Sequence, residues 1–246
     1  RSFHVTGVQT CALPISTLSR QDGLLKELQV VANNIANTNT TGYKTDRAVF
    51  AEYIMATGPD TPSLSMGGLA GHSFDLTQGT VKFTGGQFDL AIQGDGFFGL
   101  ETEAGQRLTR AGAFQVSADG ELIAPDGAKV LSNGGGPITI PPDAEGVSIA
   151  GDGTISADGQ VIDQVGIFIA EGQLQRDTDT RFTAAGGSQP AEFATVLQGA
   201  LEASNVSPVL EMARMIEVQR AYEAGQAALE KEDQRITQLI STVRNR

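Results

Sequence analysis

Apolar residues repeat at different rhythms along this chain. Near the start, Leu24, Leu28, Val31 and Ile35 recur at alternating steps of four and three. Near the end, Met215, Tyr222, Leu229, Ile236 and Val243 recur every seven residues. Both spacings keep one stripe of a helix turned toward a partner helix. The columns beside the second stripe are polar (Gln219, Gln226, Asp233), so two such helices alone would share a poor core. Both ends are therefore expected to order on assembly. Between them lie short runs rich in Val, Ile and Phe at residues 88–93, 97–101, 146–150 and 165–170. Gly94-Asp95-Gly96, Asp119-Gly120, Asp126-Gly127, Gly151-Asp152-Gly153 and Asp158-Gly159 punctuate them. Asp-Gly between apolar runs predicts tight hairpins, because both turn positions tolerate positive φ.

The helical limits have local causes. The first helix is expected from Thr17 to about Asn37, ended by Asn37-Thr38-Asn39-Thr40-Thr41-Gly42, residues that bond their own backbone or accept positive φ. At the last helix, Ser207 is placed to cap and Pro208 to occupy the first helical position, where its missing N–H costs nothing. Glu211 in the first turn and Arg244 and Arg246 at the end suit the helix dipole. Gly225, mid-helix, costs about 1 kcal/mol relative to alanine, and marks either a close backbone approach or a tolerated defect. The fold class is α+β: a mostly antiparallel β domain inserted between terminal helices that pack together as a coiled-coil-like helical domain. The expected divisions are a helical segment at 16–43, a linker at 44–73 with an ordered stretch at 47–55 and an extended part at 57–71, a β domain at 74–182, a return linker at 183–190, and a helical segment at 191–246 that opens with a short helix or turn at 191–203.

Composition narrows the function. The 246 residues carry a formal net charge of −12 and 30 glycines. An acidic chain repels phosphate backbones, which argues against nucleic acid. No apolar run approaches the roughly 18 residues of a membrane span, so no membrane insertion is expected. Residues 1–15 contain the only cysteine, Cys11, in VTGVQTCALPI, a string that resembles the conceptual translation of a sequencing-library adapter. They are read as foreign to the natural protein, and they fail as a signal peptide because Pro14 breaks a short apolar stretch. Without them the chain has no cysteine and one histidine, His72, expected in a solvated loop. Gly94-Asp95-Gly96-Phe97-Phe98-Gly99 has dinucleotide-loop spacing, but the following residues read as strand where a helix is required. The aspartates, Asp89 and Asp95 included, show no calcium-loop offsets and read as turn residues. No nucleophile elbow or zinc spacing is present, so catalytic, cofactor and metal sites are all expected to be absent.

The ends carry a specific resemblance. Ala32-Asn33-Asn34-Ile35-Ala36-Asn37-Thr38-Asn39-Thr40-Thr41-Gly42-Tyr43-Lys44 resembles the N-terminal signature of bacterial flagellar rod and hook proteins. Ser204-Asn205-Val206-Ser207-Pro208, with Glu211-Met212 and residues 215–223, resembles their C-terminal signature, and residues 88–98 their first β segment. The likeness spans residues 16–246, and the block at 138–166 and the length fit a proximal rod subunit better than a distal one or a hook protein. The resemblance implies a non-enzymatic structural subunit, exported unfolded through the flagellar type III apparatus without a cleaved signal peptide. It further implies a subunit of the periplasmic rod of the basal body that assembles with copies of itself and other rod proteins and transmits torque. A secreted β-domain carbohydrate binder or hydrolase is the alternative from another class. The expected assembly residues are Leu24, Leu28, Val31 and Ile35 with Met215, Tyr222, Leu229 and Ile236, each alternatively an intrachain core position. Asn33, Asn34 and Asn37 are expected to satisfy backbone groups at the helix end, and Arg220 to form an ion pair. A charge at Leu229 is expected to abolish incorporation while leaving the β domain folded.

Overall fold

The computed structural model describes residues 7–55, 64–141, 143–144, 146–191 and 194–244. They fold into two compact units, one of residues 1–35, 46–73 and 208–246, the other of residues 36–45 and 74–207. The N-terminal helix, the mostly antiparallel β body and the C-terminal helix anticipated from the pattern are all present.

The first unit contains helix α1 (Gly7–Ala36) and the strands β1 (Asp46–Met55) and β2 (Leu64–Phe74), with Ala36 and Phe74 belonging to the other unit, and helix α2 (Pro208–Arg244). β1 and β2 form a two-stranded sheet. A short ordered stretch was expected where β1 lies, but β2 occupies residues read as linker; residues 56–63 of that reading lie outside the described ones. Two strands paired to each other can order a Gly-rich segment whose own propensity is weak. No helix among the described residues is long and apolar enough to cross a membrane.

In the second unit, β3 (Val81–Phe83), β4 (Leu90–Gln93), β5 (Phe97–Thr102) and β6 (Gly105–Thr109) begin a series of short strands. β5 lies inside a nine-stranded sheet, pairing antiparallel with β6 (Leu100↔Arg107), with Lys129–Val130 and with Ile167–Ala170. A three-stranded antiparallel sheet joins Val147–Ile149, Thr154–Ala157 and Gln160–Gln164. Leu90, Ile92, Phe98, Leu100, Leu122, Val130, Ile138 and Ile155 lie in the main core, and Phe97, Leu108, Leu131, Phe168 and Phe182 form a second cluster.

The Asp-Gly turns at 119–120, 126–127, 151–153 and 158–159 each join antiparallel partners. Gly94-Asp95-Gly96 does not. It links β4 to β5, which lie in different sheets, and its glycines, at φ 102° and 129°, turn the chain from one sheet into the other. The segment read as return linker carries strand at Arg181–Ala184 and Ser188–Pro190, and the expected short helix or turn at 191–203 is instead Thr195–Gln198 and Ala200–Glu202. The first of these pairs with β4 and the second with β3. Partners about a hundred residues upstream decide the conformation here, and local pattern carries no trace of them.

Candidate assembly surface

In the first unit the terminal helices run antiparallel and are tied along their length by polar groups. The Gln21 side chain donates to the Tyr222 carbonyl at 2.9 Å. Arg214 reaches Glu27 through both Nε (3.0 Å) and Nη2 (2.7 Å). Asn34 donates to Glu211 at 3.1 Å. Gly225 makes room for the Gln21 side chain, since a Cβ there would lie 2.0 Å from Gln21 Nε2. The close approach at this glycine is by the Gln21 side chain, not by backbone as expected.

Asn34 is the hub. Its Nδ2 also donates to the Asp46 carbonyl (2.9 Å) and its Oδ1 accepts from the Asp46 N–H (3.0 Å), so one side chain completes the first residue of β1 as a strand neighbour would. Glu211, 1% exposed, is paired with Arg47 at 2.7 Å as well as with Asn34. Its place in the first turn suits the dipole, but its burial and partners make it a fastening between α2, α1 and β1. Asp46 is paired on its other side with His72, whose Nδ1 lies 3.0 Å from each carboxylate oxygen. His72 is therefore solvated as expected, but it is an exposed strand residue with an acidic partner rather than a loop histidine.

The expected assembly residues divide. Val31 is buried, and Leu24, Leu28, Ile35, Met215, Tyr222, Leu229 and Ile236 are half-buried within one chain. Asn34 and Asn37 are buried, Asn33 and Arg220 exposed. Asn37 accepts a hydrogen bond from the Thr40 hydroxyl at 2.9 Å, which secures the turn after α1. The most deeply buried α2 residues are Glu211 and Val218, one column round from the expected stripe. Gln21 and Gly23 were missed, and Glu211 was read only for the helix dipole and the terminal signature, because small and polar residues are invisible to an apolar-period search.

A second apolar face of α2 is left uncovered: Val209, Met212 and Ile216 stand one and two turns apart with exposures of 72%, 50% and 51%. Leu239, Ile240 and Val243, near the end of α2 and on its other side, are exposed as well. Beside α1, a cleft of about 470 Å³ is lined by Ser16, Arg20, Leu24, Glu27, Phe50 and Gly67, among others. Its floor exists because Gly23 lets the Phe50 ring approach; a Cβ at 23 would stand 3.2 Å from that ring.

The rest of the two signatures meets inside the second unit. Gly42, at φ 70°, packs so tightly that a Cβ would stand 2.2 Å from the Ala111 nitrogen. Its N–H donates to the Glu202 carbonyl at 2.8 Å. Lys44 Nζ lies 2.6 Å from Glu202 Oε1, and Arg110 Nη1 lies 3.2 Å from Glu202 Oε2, all three side chains being almost wholly buried. Burial pulls the Lys44 ammonium below its ordinary pKa, with the Glu202 hydrogen bond acting in the opposite direction. Asn205 Oδ1 accepts from both the N–H and the hydroxyl of Thr45 (2.8 and 2.9 Å). The Arg176 guanidinium stacks over Tyr43 at 4.4 Å and Phe74 at 4.9 Å. No group of metal-ligating side chains occurs among the described residues. Apart from the buried Arg110 Nε, which has no hydrogen-bond partner among the described residues, the arrangement is one of mutual structural pairing.

Comparison with known proteins agrees with the terminal motifs. Residues 15–44 match the family described as flagella basal body rod protein. Residues 91–157 match the flagellar hook protein FlgE/F/G D1 domain, and residues 197–242 the C-terminal part of flagellar basal body rod FlgEFG protein. The flagellar basal-body rod protein FlgF of Caulobacter vibrioides is 39% identical over 219 residues, covering 84% of this chain and 87% of that protein. FlgF of Mesorhizobium japonicum is 34% identical over 220 residues, with the same shares covered. FlgG of Bacillus subtilis is 33% identical over 262 residues, covering 93% of this chain and 98% of that protein. The likeness to FlgF agrees with the choice among family members that length and the block at 138–166 had suggested.

Proposed function

The chain belongs to the flagellar basal-body rod protein family and is a structural rod subunit rather than an enzyme, and from that premise we propose that it builds the rod through its terminal helices. The observation that carries this reading is the uncovered stripe Val209, Met212 and Ile216 on a helix whose opposite face is already occupied by α1. Apolar side chains held in line on a rigid helix gain about 25 cal/mol for each Å² removed from water, and a neighbouring subunit is the surface available to remove it. The cleft beside α1 differs from that stripe, so copies join head to tail and a tube can grow without closing on itself. Leu24, Leu28, Val31 and Ile35 with Met215, Tyr222, Leu229 and Ile236 hold the helix pair in the shape that presents both surfaces, and Asn34 and Asn37 set the end of α1. Arg220, exposed on α2, is placed to form an ion pair with a neighbour.

The same reading makes the subunit a component of the proximal, periplasmic part of the rod, in contact with other rod proteins and with copies of itself, and transmitting torque. On the same reading the subunit is supplied through the flagellar type III apparatus, a route that its family membership supports. Residues 1–15 are read as foreign to this subunit; the family match begins at residue 15. The test is complementation of a strain lacking its own copy, using a chain with a restored native start, scored by rods in purified basal bodies. The unsubstituted chain should restore rods, and Ile216→Asp should abolish incorporation while the β body stays folded. Normal swimming by the Ile216→Asp strain would defeat the assembly surface proposed here.

A further inference from the structure

The strands that close the second unit come from its far end. Leu90, Ala91 and Ile92 of β4 are fully buried, and their partner strand is Thr195–Gln198, with Val196 opposite Ile92. β3 pairs with Ala200–Glu202. Beyond them Asn205 secures the backbone of Thr45, 160 residues earlier in the chain. Glu202 is the counter-charge for two cations that both precede it, Lys44 and Arg110, and its Oε1 also accepts from the Gly79 N–H at 2.9 Å.

A chain that has emerged only as far as residue 190 thus holds both cations and lacks the carboxylate between them. Closing the unit at that stage would bury two cations that keep carbonyl partners, Thr77 for Lys44 and Gly94 for Arg110, but lack a counter-charge, at a cost that disfavours the closed form. It would also leave the β4 edge without its strand neighbour.

We propose that the Lys44–Glu202–Arg110 cluster is a completion lock. The two cations oppose closure of the β body until the last strands arrive, and Glu202 then releases that opposition, so the unit folds in one step late in the delivery of the chain. A polypeptide emerging amino end first thereby stays open until it is nearly whole, although its local hairpins could otherwise form early. The proposal stands independently of how finished subunits join one another.

Pulsed hydrogen exchange during refolding of the full chain tests it. The Leu122 and Leu131 amides, bonded to Ile138 and Gly99, report the large sheet, while the Val196 and Ala203 amides, bonded to Gly151 and Thr80, report the closing strands. All four should gain protection in a single phase. Protection of Leu122 and Leu131 about tenfold faster than Val196 and Ala203 would overturn the lock. Glu202→Gln should slow that phase by about tenfold or more, or abolish folding. Adding Lys44→Met and Arg110→Met to Glu202→Gln should recover folding, because no buried cation then remains to be matched. A triple variant that folds no better than Glu202→Gln would show that the cations are not the barrier, and the proposal would fail.

Discussion

The two units use polar residues in opposite ways. In the β body, buried charges and asparagines complete a structure whose apolar side chains are already inside: Phe98, Phe182, Leu90, Ile92 and Ile138 have no exposure at all. In the helical unit the buried list is short, and Gln21, Asn34, Asp46 and Glu211 stand beside Val30, Val31 and Val218. Its larger apolar residues, Val209, Leu210, Met212, Ile216, Leu239, Ile240 and Val243 among them, face outward. Val209, Met212 and Ile216, one and two turns apart, form an apolar helix stripe of the kind that a partner covers. One unit is finished by its own chain, whereas the other specifies the mutual position of two helices and a strand pair and leaves its apolar energy for a later step.

That contrast can be tested from either side. Phe182→Ala should do most harm, because the ring packs against Phe74 at 5.0 Å and Phe97 at 5.8 Å inside a closed cluster. A cost of about 3–5 kcal/mol is expected, read from denaturant unfolding of the β body. Asn34→Ala should cost about 1–3 kcal/mol, since the Asp46 N–H and Glu211 lose a buried partner. Amide exchange should localise that loss to α1, β1 and the start of α2. Gly225→Ala should nearly cancel. Alanine gains about 1 kcal/mol of helix propensity, but its methyl displaces Gln21 from the Tyr222 carbonyl, a loss of about the same size. A change within about 1 kcal/mol is expected, together with faster exchange around Gln21. Ile216→Asp should shift unfolding of the isolated chain least, by about 0.5 kcal/mol or less, despite its expected effect on rods. A large loss of monomer stability in that variant would erase the distinction between the two units.

Much of this was legible from local rules. The end of α1 at Ala36, against an expected stop near Asn37, and the start of α2 at Pro208 follow from capping and turn residues acting within a few positions. The Asp-Gly hairpins follow from φ preferences of the turn residues themselves, down to Asp158 and Gly159 at φ 51° and 81°. Gly94-Asp95-Gly96 resisted the same rule because a turn's residues specify its bend and not whether the strands it joins become neighbours. The strands at 195–198 and 200–202 were missed for a related reason, their partners being β4 and β3. Among site residues, the apolar periodicity located the helix pair but placed its centre a column away from Glu211 and Val218. Polar side chains at 21, 27, 34 and 214 set the rotation of α2, and a hydrophobic period does not register them.

The sequence by itself determined where the first helix ends and the last begins, where tight turns fall, which class of fold results, and to which family the chain belongs, because each depends on residues adjacent in the chain or on motifs kept whole; the first helix, expected from Thr17, instead begins at Gly7. Tertiary structure alone decided which strands pair, that Gly225 faces Gln21, and that Lys44 and Arg110 share Glu202. Those outcomes depend on groups separated by up to about two hundred residues, whose meeting is governed by burial and charge matching in three dimensions.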